Sequence, residues 1–441
     1  MSSRPNRGRA GAVVVLAFLA FISLGLPDGL MGVAWPGIRE HFSLPVDALG
    51  VFLIFATAGY MTSSFLSGAL VRAFGVGGLL AASCAATATA LAVYSVAPSW
   101  WVFVGFGTLG GLGAGAIDAG LNNYIDRHHN ERLMQWLHAS FGVGITIGPI
   151  IMTTSIQVSG HWQPGYRIVA AAQLTLALAF VLTRRKWQDA ADRAAPTADR
   201  AASAADGERA TDVPAELPVS APGAHDAHPA PSEQSARAVD HAGEATIRQS
   251  LLHVPSLVSM LLYFTYTGAE LGLGLWAYTF LTEGRGVPTT VAGIVTGSYW
   301  ASFTIGRILA GVTSSRVNGP ILMTTGIGLA VAGVVLVWAD IGPAATVAGI
   351  AVTGLVIAPI FPGLMSDTRN RVGARHLSNT IGMQIAAAGL GAAAIPAIAG
   401  VTARTFGLEA IPAYLVIVLS ILFVLFVGSH LRRPRAATEA P

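Results

Sequence analysis

Three carboxylic acids stand where the chain offers little but hydrocarbon: Asp28 in GLPDGLMGVAWP, Asp118 in GLGAGAIDAGLNN and Glu270 in GAELGLGLW. Each lies inside an apolar run long enough to cross a bilayer as a helix. Holding a charge at mid-membrane costs about 2.5–3.5 kcal/mol on insertion scales, so three of them call for a reason. Arg307 is the nearest base at comparable depth and cannot serve all three. A carboxylic acid in such a setting can take up and release a proton as it is opened alternately to either side. The competing reading is structural. Pro27 lacks an N–H and leaves a carbonyl free, which a protonated Asp28 would satisfy.

Around the acids lie groups suited to an uncharged polar ligand. Asn122 follows Asp118 by one turn and shares its face, with Asn123 beside it. Gln384, Tyr299 and Trp300 fall in later runs, and Trp35 and Trp276 follow Asp28 and Glu270 by one to two turns. Amides and carboxylates hydrogen-bond hydroxyls, and indole faces pack on the C–H face of a sugar ring. For each aromatic alone, packing or an interfacial belt is the stronger reading. His138 opens its run near one surface and is expected to anchor a loop.

These residues need elements to hold them. Of 441 residues, 53% are hydrophobic and only 11% charged, where soluble domains carry about 25% charge. Only helices or closed barrels span a bilayer, and these runs are too long and continuous for barrel strands. The spacing predicts an all-α integral membrane protein with twelve spans, near 11–37, 47–70, 78–97, 101–125, 137–158, 167–184, 253–281, 290–311, 320–339, 344–366, 377–402 and 409–430. Alternate loops hold most of the arginines, including Arg72, Arg127, Arg132, Arg316, Arg369, Arg371 and Arg375. That asymmetry predicts both termini in the cytoplasm and a multi-pass protein of the inner (cytoplasmic) membrane. The net charge of +3 is spread over loops, which argues against nucleic-acid binding. The single cysteine, Cys84, has no disulfide partner and reads as packing.

Residues 188–248, rich in Ala, Pro, Asp and Ser, read as a disordered cytoplasmic linker between bundles at 1–187 and 249–441. The two bundles echo each other. Asp28 pairs with Glu270 in the first span of each; GALVRAFG from Gly68 pairs with GVTSSRVNG from Gly311. FGVGITIGP (141–149) pairs with AGLGAAAIP (388–396), and the offset stays between 242 and 247 residues throughout.

Together these stretches resemble the fucose-permease-like branch of the major facilitator superfamily. They are DGLMGVAWP, GLGAGAIDAGLNN, LHASFGVGITIGP, GAELGLGLW, GRILAG, APIFPGLMSDTRNRVG and MQIAAAGLGAAAIP. The resemblance implies two pseudo-symmetric six-helix bundles, with a substrate site between them, that move a solute by alternating access. It also implies that Asp28 and Asp118 are proton- and substrate-linked, and that Glu270 joins them. The sequence departs from the superfamily pattern at Val71, which stands where an aspartate precedes Arg72. It departs again at Met152 and Thr153, where an antiporter motif would carry glycines.

The expectation is therefore a proton-coupled symporter for a small neutral solute such as a sugar or polyol, with sodium as the other candidate ion. A proton-coupled efflux antiporter for drugs or metabolites is the alternative. Asp28, Asp118 and Glu270 would couple the proton. Asn122, Asn123, Gln384, Trp276, Trp35 and Tyr299 would meet the substrate, and Arg72, Arg316 and Arg307 would act in gating. No nucleotide loop, metal-ligand cluster or nucleophile motif is present, so neither a cofactor nor enzyme activity is expected, and the protein is expected to act as a monomer in the lipid bilayer.

Overall fold

The computed structural model describes residues 7–128, 131–192, 245–313 and 318–431, and among them every long element is a helix. The first half holds α1 (Arg7–His41), α2 (Leu49–Tyr94), α3 (Trp100–His128), α4 (Glu131–Ser159) and α5 (Gln163–Asp192). After the linker come α6 (Ile247–Leu251), α7 (Val254–Thr279), α8 (Thr289–Thr313), α9 (Gly319–Ala339) and α10 (Pro343–Ile357). The chain then forms α11 (Ile360–Ser366), α12 (Thr368–Val372), α13 (Leu377–Phe406) and α14 (Ala410–Leu431).

A straight helix of 46 residues would be about 69 Å long, more than twice a bilayer core. In α2 the backbone breaks at Gly75, where φ is 68° and ψ 164°, a region open to glycine and closed to most side chains. Two crossings thus meet at Gly75, inside the 70–78 interval that the sequence leaves between spans. Nine helices among the described residues are long and apolar enough to span a membrane. Counting the arms of α2 separately gives ten, and α7 and α8, at 26 and 25 residues, complete the twelve. Those two carry Glu270 and Arg307 among several hydroxyl groups, which dilutes their apolar signal. The tenth span is not one helix. It stops at Ile357 and resumes as α11 after Pro359, which has no N–H to continue the ladder.

Described structure extends into both ends of the 188–248 stretch. Helix α5 runs to Asp192, and Ala245 already docks on the second half: its N–H donates to the Arg375 carbonyl and its own carbonyl accepts from Asn379. Thr246 and Gln249 then form a reciprocal cap on α6. Residues 193–244 lie outside the described residues.

Each half is a bundle held by matching contacts. Gly144 of α4 sits where any side chain would strike the Ile22 carbonyl of α1, and Gly391 of α13 sits likewise on the Phe264 carbonyl of α7. Both partners are repeat images at the offsets read from the sequence, so the repeated glycines set the approach of the first and fifth spans in each half. The halves meet along three pairs: α1 with α7, the first arm of α2 with α13, and α4 with α8. Exchanging spans six apart returns the first pair to itself and swaps the other two. That is the behaviour of two parallel repeats about an axis along the bundle. The end bearing Asp192 and Ala245 is called the linker end below, and the opposite one the far end.

Candidate functional site

Helix α1 continues through Pro27 without a break. The carbonyl that Pro27 leaves free is that of Ser23, one turn earlier, and it accepts a 2.8 Å hydrogen bond from Gln173 of α5, whose side chain is fully buried. Asp28 is therefore not needed to satisfy it. Gly25 and Gly29 abut α4, and Gly32 abuts Leu275 of α7, so the exposed carboxylate of Asp28 borders the seam between the halves.

Asp118 projects from α3 and is half-buried. It accepts hydrogen bonds from the Tyr60 hydroxyl of α2 and, at 2.9 Å, from Asn122 Nδ2. Tyr60 also lies within electrostatic range of Asp28, the other acid of the first half. A tyrosine in the small-residue stretch ATAGYMTSS carried no sign of this in the sequence, since its partner lies 58 residues away.

In the second half Glu270 is 8% exposed and faces Arg307, with 4.0 Å between Nη2 and Oε1. That separation lies beyond a hydrogen bond, so the pair is held by Coulomb attraction alone. The guanidinium also rests 4.5 Å over the Phe303 ring. Tyr299 anchors the backbone beneath, donating to the Glu270 carbonyl at 2.8 Å.

The other expected site residues are placed differently. Trp35 is fully buried in an aromatic stack with Trp100 and Phe103 near the far end. Trp276 is buried and its indole N–H donates to the Pro396 carbonyl of α13 at 2.9 Å. Gln384 is fully buried and bonded to Thr368 at 3.1 and 3.3 Å, tying α13 to α12. Asn123 and Arg72 are exposed, and Arg316 lies outside the described residues.

Across the seam Thr146 and Thr304 are 3.4 Å apart, and Gly142 abuts Thr304. At the far end Arg39 pairs with Glu283 at 2.6 Å and Asp47 with Arg404 at 3.2 Å, each bridge joining the two halves. A cavity of about 560 Å³ lies there, bordered by Arg39, Trp162, Tyr278 and Glu283. None of the three acids lines it.

Comparison with known proteins agrees with this architecture. A family model described as Major Facilitator Superfamily matches residues 14–376. Over 424 residues the chain is 23% identical to bypass of stop codon protein 6 of Saccharomyces cerevisiae, covering 90% of this chain and 78% of that one. It is 19% identical over 156 residues to glucose/mannose transporter GlcP of Bacillus subtilis, covering 35% and 39% of the two chains. It is 23% identical over 137 residues to sodium-dependent glucose transporter 1A of Mus musculus, covering 30% and 32%.

Proposed function

The chain belongs to the major facilitator superfamily, and within it we propose that it is a proton-coupled symporter for a small neutral sugar or polyol. The observation that carries this reading is the Tyr60–Asp118 hydrogen bond, set in the same half as an Asp28 that has no capping duty. Tyr60 bonds Asp118 and lies within reach of Asp28, which is exposed at the seam and relieved by Gln173 of any capping duty. A hydroxyl bonded to one carboxylate and in the field of a second lets a single proton be shared among them as access changes. Glu270 and Arg307 face them from the other half, a loosely held pair that solute hydroxyls can enter without leaving a bare buried charge. Asn122 and Asn123 extend the polar surface on α3, while Trp35, Trp276 and Gln384 support the scaffold around it. Sugar-transporting relatives support the substrate class, and the arginine distribution supports a cytoplasmic linker end and a place in the inner membrane.

Each proton moving down about 100 mV supplies about 2.3 kcal/mol, enough to accumulate an uncharged solute some fifty-fold. The test is uptake into proteoliposomes with a pH dye inside. Entry of a sugar or polyol should acidify the lumen and accelerate under an imposed proton gradient. Tyr60→Phe should weaken that coupling about tenfold, the effect of losing one hydrogen bond to a charged group, and Asp118→Asn should abolish it. Uptake driven by sodium and indifferent to pH would reassign the ion. Export of lipophilic compounds with no sugar entry would replace the symporter by an antiporter.

A further inference from the structure

The sequence assigns His138 to loop anchoring, but it lies two turns inside α4 (Glu131–Ser159). The seam places it elsewhere. Gly142 abuts Thr304, and the two helices run in opposite directions along this seam. One turn from that contact toward the linker end is His138 on α4 and Arg307 on α8. The two basic side chains therefore stand at one level on facing helices of different halves. Consistently, the charged groups that act on His138 are Asp118 of α3, in its own half, and Arg307, in the other. From α1 the Phe21 ring meets it edge-on at 5.5 Å. Behind Arg307 stands Glu270 of α7, at 4.0 Å, and the Arg307 Nε is buried with no hydrogen-bond partner among the described residues. The result is a file across the seam with an acid at each end and two bases between them: Asp118, His138, Arg307, Glu270.

We propose that His138 is a proton-sensitive contact between the halves: neutral, it tolerates Arg307 at the seam, and protonated, it repels Arg307 and favours parting of α4 from α8 at the linker end. The proposal rests on the proton-coupled reading above and adds to it how a proton changes the shape of the molecule. Asp118 is the natural donor, because it shares the half of His138 and stays near it when the halves rock. Once α8 has moved off, the imidazolium keeps Asp118 as its counter-charge. Arg307 keeps Glu270, so neither half is left with a bare charge. No group needs to cross the membrane for this switch to work.

The experiment measures the gap directly, in purified full-length protein with no solute present. Spin labels are placed at Phe74→Cys and Ile321→Cys, which are 59% and 60% exposed at the linker ends of the two halves, while the fully buried Cys84 stays unlabelled. Between about pH 8 and about pH 5.5, a window that brackets imidazole titration, the population of long distances should rise several-fold. His138→Gln should remove that rise. Arg307→Gln should remove it too, and Arg307→Lys, which keeps the charge, should retain it. A His138→Gln protein whose distances still lengthen like the parent's overturns the proposal, as does a parent that does not respond. If the distances respond but no sugar enters proteoliposomes, the switch stands and the symport reading falls. If sugar-driven proton entry persists in His138→Gln with an unchanged pH profile, the reverse holds.

Discussion

Pro27 and Asp28 are neighbours, and Gln173 frees the second from capping the carbonyl that the first leaves unpaired. An unpaired buried carbonyl costs about 1–3 kcal/mol, so a proline in mid-span must find another donor or weaken its helix. Gln173 supplies that donor from α5, which leaves the carboxylate beside it available for chemistry. The amide was visible in the sequence as an odd polar residue in AAAQLTLAL, yet nothing there pointed to a partner 150 residues away. Tyr60 was hidden for the same reason: side-chain pairing across distant spans has no periodicity to read. The division of labour predicts opposite phenotypes. Gln173→Leu should lower the thermal unfolding temperature of the detergent-solubilised protein, by the stability of one buried hydrogen bond, and leave the proton-to-solute ratio intact. Asp28→Asn should keep the unfolding temperature and lose proton movement. Equal loss of stability in both variants would return Asp28 to a structural part.

Among the elements, what the sequence made legible follows from how little freedom a bilayer leaves. Spans must be helices about twenty residues long, so apolar runs mark them, and the twelve crossings, with a break between residues 70 and 78, were readable in advance. The repeats were legible because helix packing by glycine is written in the residues themselves. The site was less so. Trp35, Trp276 and Gln384 have types that suit a sugar, but type says nothing of which way a helix faces, and all three point into packing. The repeat gives a sharp test of element packing. Gly144→Ala and Gly391→Ala each drive a methyl group into a carbonyl of the first span in its half. Overpacking of this kind costs about 1–3 kcal/mol, and the two losses should be similar because the contacts are images of one another. Gly382→Ala, in α13 with nothing near its added methyl, should instead stabilise by up to about 1 kcal/mol. Thermal melts of the three variants decide it, and a neutral Gly144→Ala beside a costly Gly391→Ala would mean the halves pack by different rules.

For the whole molecule, the informative contacts are those joining the halves, because transport by rocking makes and breaks them. At the far end two bridges of opposite polarity close the seam: a base of the first half meets an acid of the second in Arg39–Glu283, and the signs are reversed in Asp47–Arg404. Partly exposed pairs of this kind contribute about 0–1 kcal/mol each, too little to matter for folding. Their leverage is on an equilibrium between access states, where about 1.4 kcal/mol changes a population tenfold. Reversing Arg39 alone sets two acids against each other at the seam and should open the far end, lengthening the distance between spin labels at Val96→Cys and Ile341→Cys, which are 67% and 72% exposed on opposite halves. Reversing both partners, Arg39→Glu with Glu283→Arg, restores attraction and should return the distance to the parent value. High salt should mimic part of the single reversal's effect in the parent, since exposed charges are screened within about 10 Å at about 0.1 M. A single reversal that leaves the far-end distance unchanged would make the bridge a passenger of the closed state, held shut instead by the apolar approach of α1 to α7 and of α2 to α13.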